Sequence, residues 1–253
     1  MTVKQLYDAL DKRIPKDLSC EWDNDGLMCC PDSHRQVRRV LITLDVTADA
    51  VTEAVRGEYD VILSHHPLIF KGVKRINGED IISDKLITLI KNGISVFSFH
   101  TRLDSVGGGV NDCLAALLEL SDVQTFGEGG LGRIGVLPQK TDAESLARRV
   151  KELLGCDGVV LSDAGLECHR VAVLGGSGGD EIEAAILAGA DTYLSGEFKY
   201  HSLTDAPEMN INLIEAGHFY TENPVLTPLA EMISDEDENI EYTLYYSNKI
   251  RLI

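Results

Sequence analysis

Apolar positions along the chain recur with two spacings. Over residues 1–18, Leu6, Leu10 and Ile14 fall one turn apart with polar residues between them, which predicts an amphipathic helix. The turn-rich stretch Glu21-Trp22-Asp23-Asn24-Asp25-Gly26 separates it from an apolar strand at Val40-Leu41-Ile42-Thr43-Leu44. A helix is predicted over 48–55. A buried strand, Val61-Ile62-Leu63, then runs straight into His65-His66-Pro67, where the proline stops it. A helix over 84–91, a strand over 95–99 ending at His100, and a helix over 110–118 follow. Alternation of this kind argues for an α/β fold with a largely parallel sheet.

Residues 121–138 carry Gly127, Gly129, Gly130, Gly132 and Gly135 and read as a connection between two α/β halves, 1–125 and 126–253. The second half repeats the order of the first: a strand over 170–174, a glycine string over 175–179, a helix over 180–187 and a strand over 192–194. A gapless shift of 131 residues pairs Arg39 with Arg170, Val40 with Val171, Asp49 with Asp180, Asp60 with Asp191, Leu63 with Leu194 and Ser64 with Ser195. A shared register through strand, helix and strand argues for an internal duplication. It makes the His65-His66 end of one repeat equivalent to the Glu197 end of the other, just past strand C-termini, where open α/β sheets bind ligands.

Three strand ends carry residues capable of chemistry. The turn after a strand lets the two adjacent imidazoles of His65 and His66 converge on metals. His100 and Asp104, four apart, follow the next strand, and a carboxylate there can bridge two cations. His218 and Glu222 have i, i+4 spacing after the apolar Ile211-Asn212-Leu213-Ile214, so on a helix they share a face. Together His65, His66, Asp104, His218 and Glu222 offer three imidazoles and two carboxylates. Such a set suits Zn, Mn, Fe, Co or Ni and leaves positions open for water and substrate around two divalent ions. The string Gly175-Gly176-Ser177-Gly178-Gly179 matches no phosphate-binding motif; an anion cradle at a helix N-terminus and a tight turn beside a crowded site both remain open.

Composition narrows the function classes. A formal net charge of -18 opposes non-specific nucleic-acid binding and an anionic membrane surface, while leaving room for a local basic patch facing a small anionic substrate. No apolar run approaches the ~20 residues of a membrane span. The first segment lacks the apolar core of a signal peptide, and the six cysteines show no C-x-x-C spacing, so a cytoplasmic protein with reduced thiols is expected.

In order along the chain, Trp22-Asp23-Asn24 with Gly26-Leu27, Ser64-His65-His66-Pro67-Leu68, and His100-Thr101-Arg102-Leu103-Asp104 with Gly109-Val110-Asn111-Asp112 are followed by Gly132-Arg133-Ile134-Gly135, Gly175-Gly176-Ser177-Gly178, Ser195-Gly196-Glu197, and Gly217-His218 with Glu222. This series resembles the Nif-three-like family, often labelled GTP cyclohydrolase 1 type 2 homologues, in its short form without a central insertion. The resemblance implies two intertwined, duplicated α/β halves forming effectively one compact unit, and a toroidal homohexamer with metal sites facing its interior. It also implies a dinuclear centre held by His65, His66, Asp104, His218 and Glu222, with Glu222 as the bridge. His100, Glu197 and His201 would lie nearby as proton-transfer candidates. Arg102 departs from the small or polar residue usual there; beside two cations it needs a carboxylate partner or an incoming phosphate. The function implied is a metal-dependent hydrolase acting on a nucleotide. A phosphoesterase for a small phosphorylated substrate and a non-enzymatic metal-binding or regulatory scaffold are the alternatives.

Overall fold

The computed structural model describes residues 1–253. The apolar stripe of the first segment forms α1 (Val3–Arg13), with Val3, Leu6 and Leu10 buried. Thr2 and Gln5 close a reciprocal cap at its start: each backbone N–H is accepted by the other's side chain, at 2.9 and 3.3 Å. The chain continues through β1 (Gly26–Cys29), β2 (Arg39–Thr43), α2 (Ala48–Arg56), β3 (Val61–Ser64), α3 (Ile81–Asn92), β4 (Ser95–Ser98) and α4 (Thr101–Ser105). There follow α5 (Val110–Leu117), β5 (Ser121–Phe126), β6 (Gly132–Thr141), α6 (Ala143–Leu154), β7 (Val160–Ser162), β8 (Cys168–Leu174), α7 (Ile182–Leu187) and β9 (Thr192–Ser195). The last elements are α8 (Tyr200–Asp205), β10 (Asn212–Glu215), α9 (His218–Glu222), α10 (Leu226–Glu236) and β11 (Glu241–Leu244). No helix is long and apolar enough to cross a membrane.

Two units result, one of residues 1–106 and 226–248, the other of 107–225 and 249–253. The first departs from the expected halves, because the chain returns to it near its end. There α10, with Leu226, Leu229, Ala230 and Ile233 buried, packs on α1 and β2, and β11 adds to the sheet alongside β2. That sheet has the order β1-β4-β3-β2-β11, with only β1 antiparallel to its neighbour. The second sheet, β5-β6-β8-β9-β10-β7, keeps a parallel centre of β8, β9 and β10 between antiparallel edges.

The duplication holds at the level of single hydrogen bonds. Val40 faces Val61 across β2 and β3, and 131 residues on Val171 faces Thr192 across β8 and β9. Asp60 accepts from the backbone of Arg38 and Arg39, and Asp191 accepts likewise from His169 and Arg170. These carboxylates satisfy N–H groups at the start of the leading strand and set where its last residue falls, so the positions after β3 and β9 are structurally matched.

The glycine-rich stretch is a β-hairpin, not a connection between halves. Gly127, Gly129 and Gly130 take positive φ in the turn between β5 and β6. Gly132 lies within β6 for a different reason: a Cβ there would sit 2.2 Å from the Phe126 ring. All six cysteines are free thiols, and Cys29, Cys156 and Cys168 are buried. Burial, with Cys30 adjacent, pushes the Cys29 thiol up to about 11. Iodoacetamide at pH 8 is therefore expected to label Cys30 well before Cys29, as followed by peptide mass spectrometry; equal rates would contradict the buried placement.

Candidate metal centre

In the first unit β3 is buried along its whole length and delivers His65 and His66 just past its end. Both stay tied to β2's continuation: His65 N–H donates to Thr43 O at 3.3 Å and His66 N–H to Leu44 O at 2.9 Å. The rings nevertheless converge, with centroids 4.9 Å apart, and His100 closes the group at 5.4 and 5.6 Å from them. One nitrogen from each of the three rings lies within 4.8 Å of the others. Asp104, on α4, brings Oδ1 to 3.7 Å from His65 Nε2.

Second partners set the tautomers. His65 Nδ1 lies 3.0 Å from the Phe99 carbonyl oxygen, which can only accept, so Nδ1 carries the proton and Nε2 presents a lone pair. His66 Nδ1 faces Asp45 Oδ1 at 2.9 Å, and His100 Nδ1 faces Asp23 Oδ1 at 2.8 Å. A carbonyl or carboxylate on the far nitrogen is the arrangement by which proteins orient metal-binding imidazoles.

The Trp-Asp-Asn-Asp-Gly stretch builds this support. Burial raises the Asp23 carboxyl, but hydrogen bonds from His100, Thr101 Oγ1 at 2.7 Å and Thr101 N at 3.1 Å outweigh it and hold the group well below the usual carboxylate range. Asp25, its carboxylate fully buried, accepts from His100 N and from Arg102 Nε at 3.1 Å. Arg102 is itself fully buried. It donates to Asp11 Oδ1 at 2.7 Å and Ile14 O at 2.9 Å and stacks 4.4 Å over the Phe99 ring. Its charge is thus answered by two carboxylates, which settles the alternative left open by the sequence.

In the second unit Glu197 follows β9 as His66 follows β3, and His218 opens the short helix after β10. The i, i+4 spacing places His218 Nε2 3.2 Å from Glu222 Oε1, while Nδ1 lies 3.2 Å from Glu197 Oε1. Glu222 is buried and Glu197 mostly exposed. The glycine string makes this possible. At Gly176, φ is +68°, and a Cβ would lie 2.2 Å from Glu222 Oε1 and 3.1 Å from His218 Nε2. The N–H groups of Gly175, Gly176 and Gly178 are spent on Asn111 Oδ1, Thr221 Oγ1 and Ser195 Oγ, so the tight-turn reading is the one realised here. Gly176→Ala is expected to lose about 1–2 kcal/mol from the left-handed backbone alone and to displace Glu222. Urea unfolding checks the first effect and metal affinity the second; an unchanged affinity would detach the glycine from the site.

Of the predicted residues, His65, His66, His100 and Asp104 come together in one unit, and His218, Glu222 and Glu197 in the other. His201 is exposed on α8 and outside both groups. Asp23, Asp25 and Asp45 were given no role by the sequence. Asp45 had a readable signal, since it stands two residues past a strand end just as His66 does.

Nitrogen and oxygen donors, with each imidazole's far nitrogen held, fit a divalent cation, and no cysteine joins the metal-capable groups. Fold and donors together define an α/β protein of duplicated strand–helix–strand units carrying metal-capable groups at the strand ends. The family model for Duf34/NIF3 (NGG1p interacting factor 3) matches residues 1–250, and the chain belongs to that family. It is 34% identical over 241 residues to the "GTP cyclohydrolase 1 type 2 homolog" of Clostridium acetobutylicum, covering 92% of this chain and 90% of that one. Reduced HcgD from Methanocaldococcus jannaschii superposes with a TM-score of 0.86 at 28% identity over 96% of each chain. A Bacillus cereus protein related to NIF3 shares the fold, with a TM-score of 0.88 at 23% identity over 100% of this chain and 99% of that one. The resemblance carried by the motifs is borne out.

Proposed function

We propose that His65, His66, Asp104, His218 and Glu222, the ligand set that the family motifs imply, hold two divalent metal ions, and that the protein is a hydrolase of GTP cyclohydrolase type acting on a nucleotide. The observation that carries the reading is the common orientation of the histidines: each holds Nδ1 against a carbonyl or carboxylate oxygen, the arrangement by which proteins orient metal-binding imidazoles. Bound divalent ions supply Lewis acidity toward an electrophilic carbon or phosphorus. The chain's own residues would do the rest. Glu197 would take or return a proton, a role supported by its exposure and its position against His218 Nδ1, and Asp23 holds His100 in one orientation. The nucleotide substrate is supported by the names of the curated relatives. A toroidal homohexamer in the cytoplasm completes the proposal.

Metal analysis of purified protein is expected to give two equivalents per chain, and light scattering a mass six times that of the chain. Metal-loaded protein should convert GTP to a formylated triphosphate product, and Glu197→Gln should abolish turnover with metal retained. Less than one equivalent of metal would sink the whole reading. Full metal without turnover would leave the non-enzymatic metal-binding protein, and release of inorganic phosphate would point to a phosphoesterase.

A further inference from the structure

Beside His100 the first unit exposes two large aromatic side chains that no core requires. Trp22 is 58% exposed and Phe70 46%. Their ring centroids are 6.2 Å apart at 67°, and each lies 6.2 Å from the His100 ring at a steep angle. The two loops that carry them are tied together by Asn24 Nδ2, which donates to Ile69 O. Indole and phenyl faces left to water next to metal-capable imidazoles mark a binding surface rather than packing.

The residues that follow Phe70 say what the surface would take. Lys71, Lys74 and Arg75 lie within five positions and make no ion pair, in a chain with net charge -18. They line a hollow of about 830 Å³ together with Asn77, Glu79 and Asp80. Both acidic groups are engaged locally, Asp80 capping α3 and Glu79 accepting from Asn77. A concavity of this volume is in the range that holds small ligands. Cations without ion pairs in the segment that directly follows Phe70, together with exposed ring faces, match a planar heteroaromatic base bearing phosphates, since bases stack on aromatic side chains and phosphates seek Lys and Arg.

We infer that Trp22 and Phe70 stack the base of a nucleotide while Lys71, Lys74 and Arg75 hold its phosphates, presenting it to the His65–His66–His100 group. This rests on the nucleotide reading above and deepens it by assigning the residues that recognise the substrate. The alternative occupant, a second copy of this chain, is an outcome of the test.

Trp22 is the only tryptophan in the chain, so its emission reports directly on the surface. With protein loaded with zinc or manganese, GTP is expected to quench Trp22 saturably. Inorganic tripolyphosphate should bind, by calorimetry, without quenching. Phe70→Leu should weaken GTP about tenfold and leave tripolyphosphate unchanged. Lys74→Gln with Arg75→Gln should weaken both and flatten their salt dependence. GTP binding indifferent to Phe70→Leu would overturn the inference, as would emission that follows protein concentration instead of GTP. Metal content measured on the same samples separates the failures: two equivalents with no effect at Phe70 defeats only the stacking surface, whereas empty protein defeats the metal reading beneath it.

Discussion

Glu222→Gln is expected to strip the protein of most of its metal-dependent stability. The substitution keeps the volume of a buried side chain but removes its charge, 3.2 Å from His218 Nε2. Loss of a group that only orients a ligand costs ~10–100-fold in metal affinity, and a ligand should cost at least the upper figure. Metal at ~100 times its Kd stabilises the wild type by about 2.7 kcal/mol; a 100-fold weaker site leaves about 0.4 kcal/mol. Urea unfolding with and without zinc or manganese reads this difference directly. A metal increment as large in the variant as in the wild type would remove Glu222 from the ligand set.

The second large effect lies at Arg102. Arg102→Met leaves the carboxylate of Asp25 fully buried with Lys16 and Ser19 as its remaining side-chain partners, and Lys16 is half exposed. Breaking a buried pair from one side costs about 3–5 kcal/mol, because the surviving charge stays desolvated. The expected result is a loss of that size in urea unfolding, recovered in part by adding Asp25→Asn, which removes the orphaned charge. A loss below ~1 kcal/mol would mean that the guanidinium is not what balances Asp25. Since Asp25 also accepts from His100 N, the variant should in addition loosen the imidazole nearest Trp22.

The parts of the fold visible in the sequence are those where side-chain spacing is the whole signal. The strands at 40–44, 61–63 and 170–174 are apolar runs, and the 131-residue shift predicts the strand register itself, since Val40–Val61 and Val171–Thr192 are the same pairing. The hairpin of β5 and β6 was not readable because its glycines do two jobs. Those at 127, 129 and 130 turn the chain, while Gly132 makes room for Phe126, a tertiary demand that leaves no local pattern.

The candidate site divides the same way. His65, His66, His218 and Glu222 announce themselves by adjacency or i, i+4 spacing after strands. Asp23 and Asp25 stand about 77 residues from the groups they hold, His100 and Arg102, so only the folded chain connects them. His201 shows the converse: a histidine near a promising motif that the fold leaves on the surface.

The return of residues 226–248 to the first unit has a consequence for how the protein is made. β2 acquires its outer neighbour, β11, only when residues 241–244 have left the ribosome, roughly 200 residues after β2 itself was synthesised. Throughout that interval β2 presents an unpaired parallel edge, and the apolar face that α10 covers is open. The nascent first unit is therefore the stage at which the chain is most exposed to edge-to-edge association, and a ribosome stalled near residue 225 would hold it there.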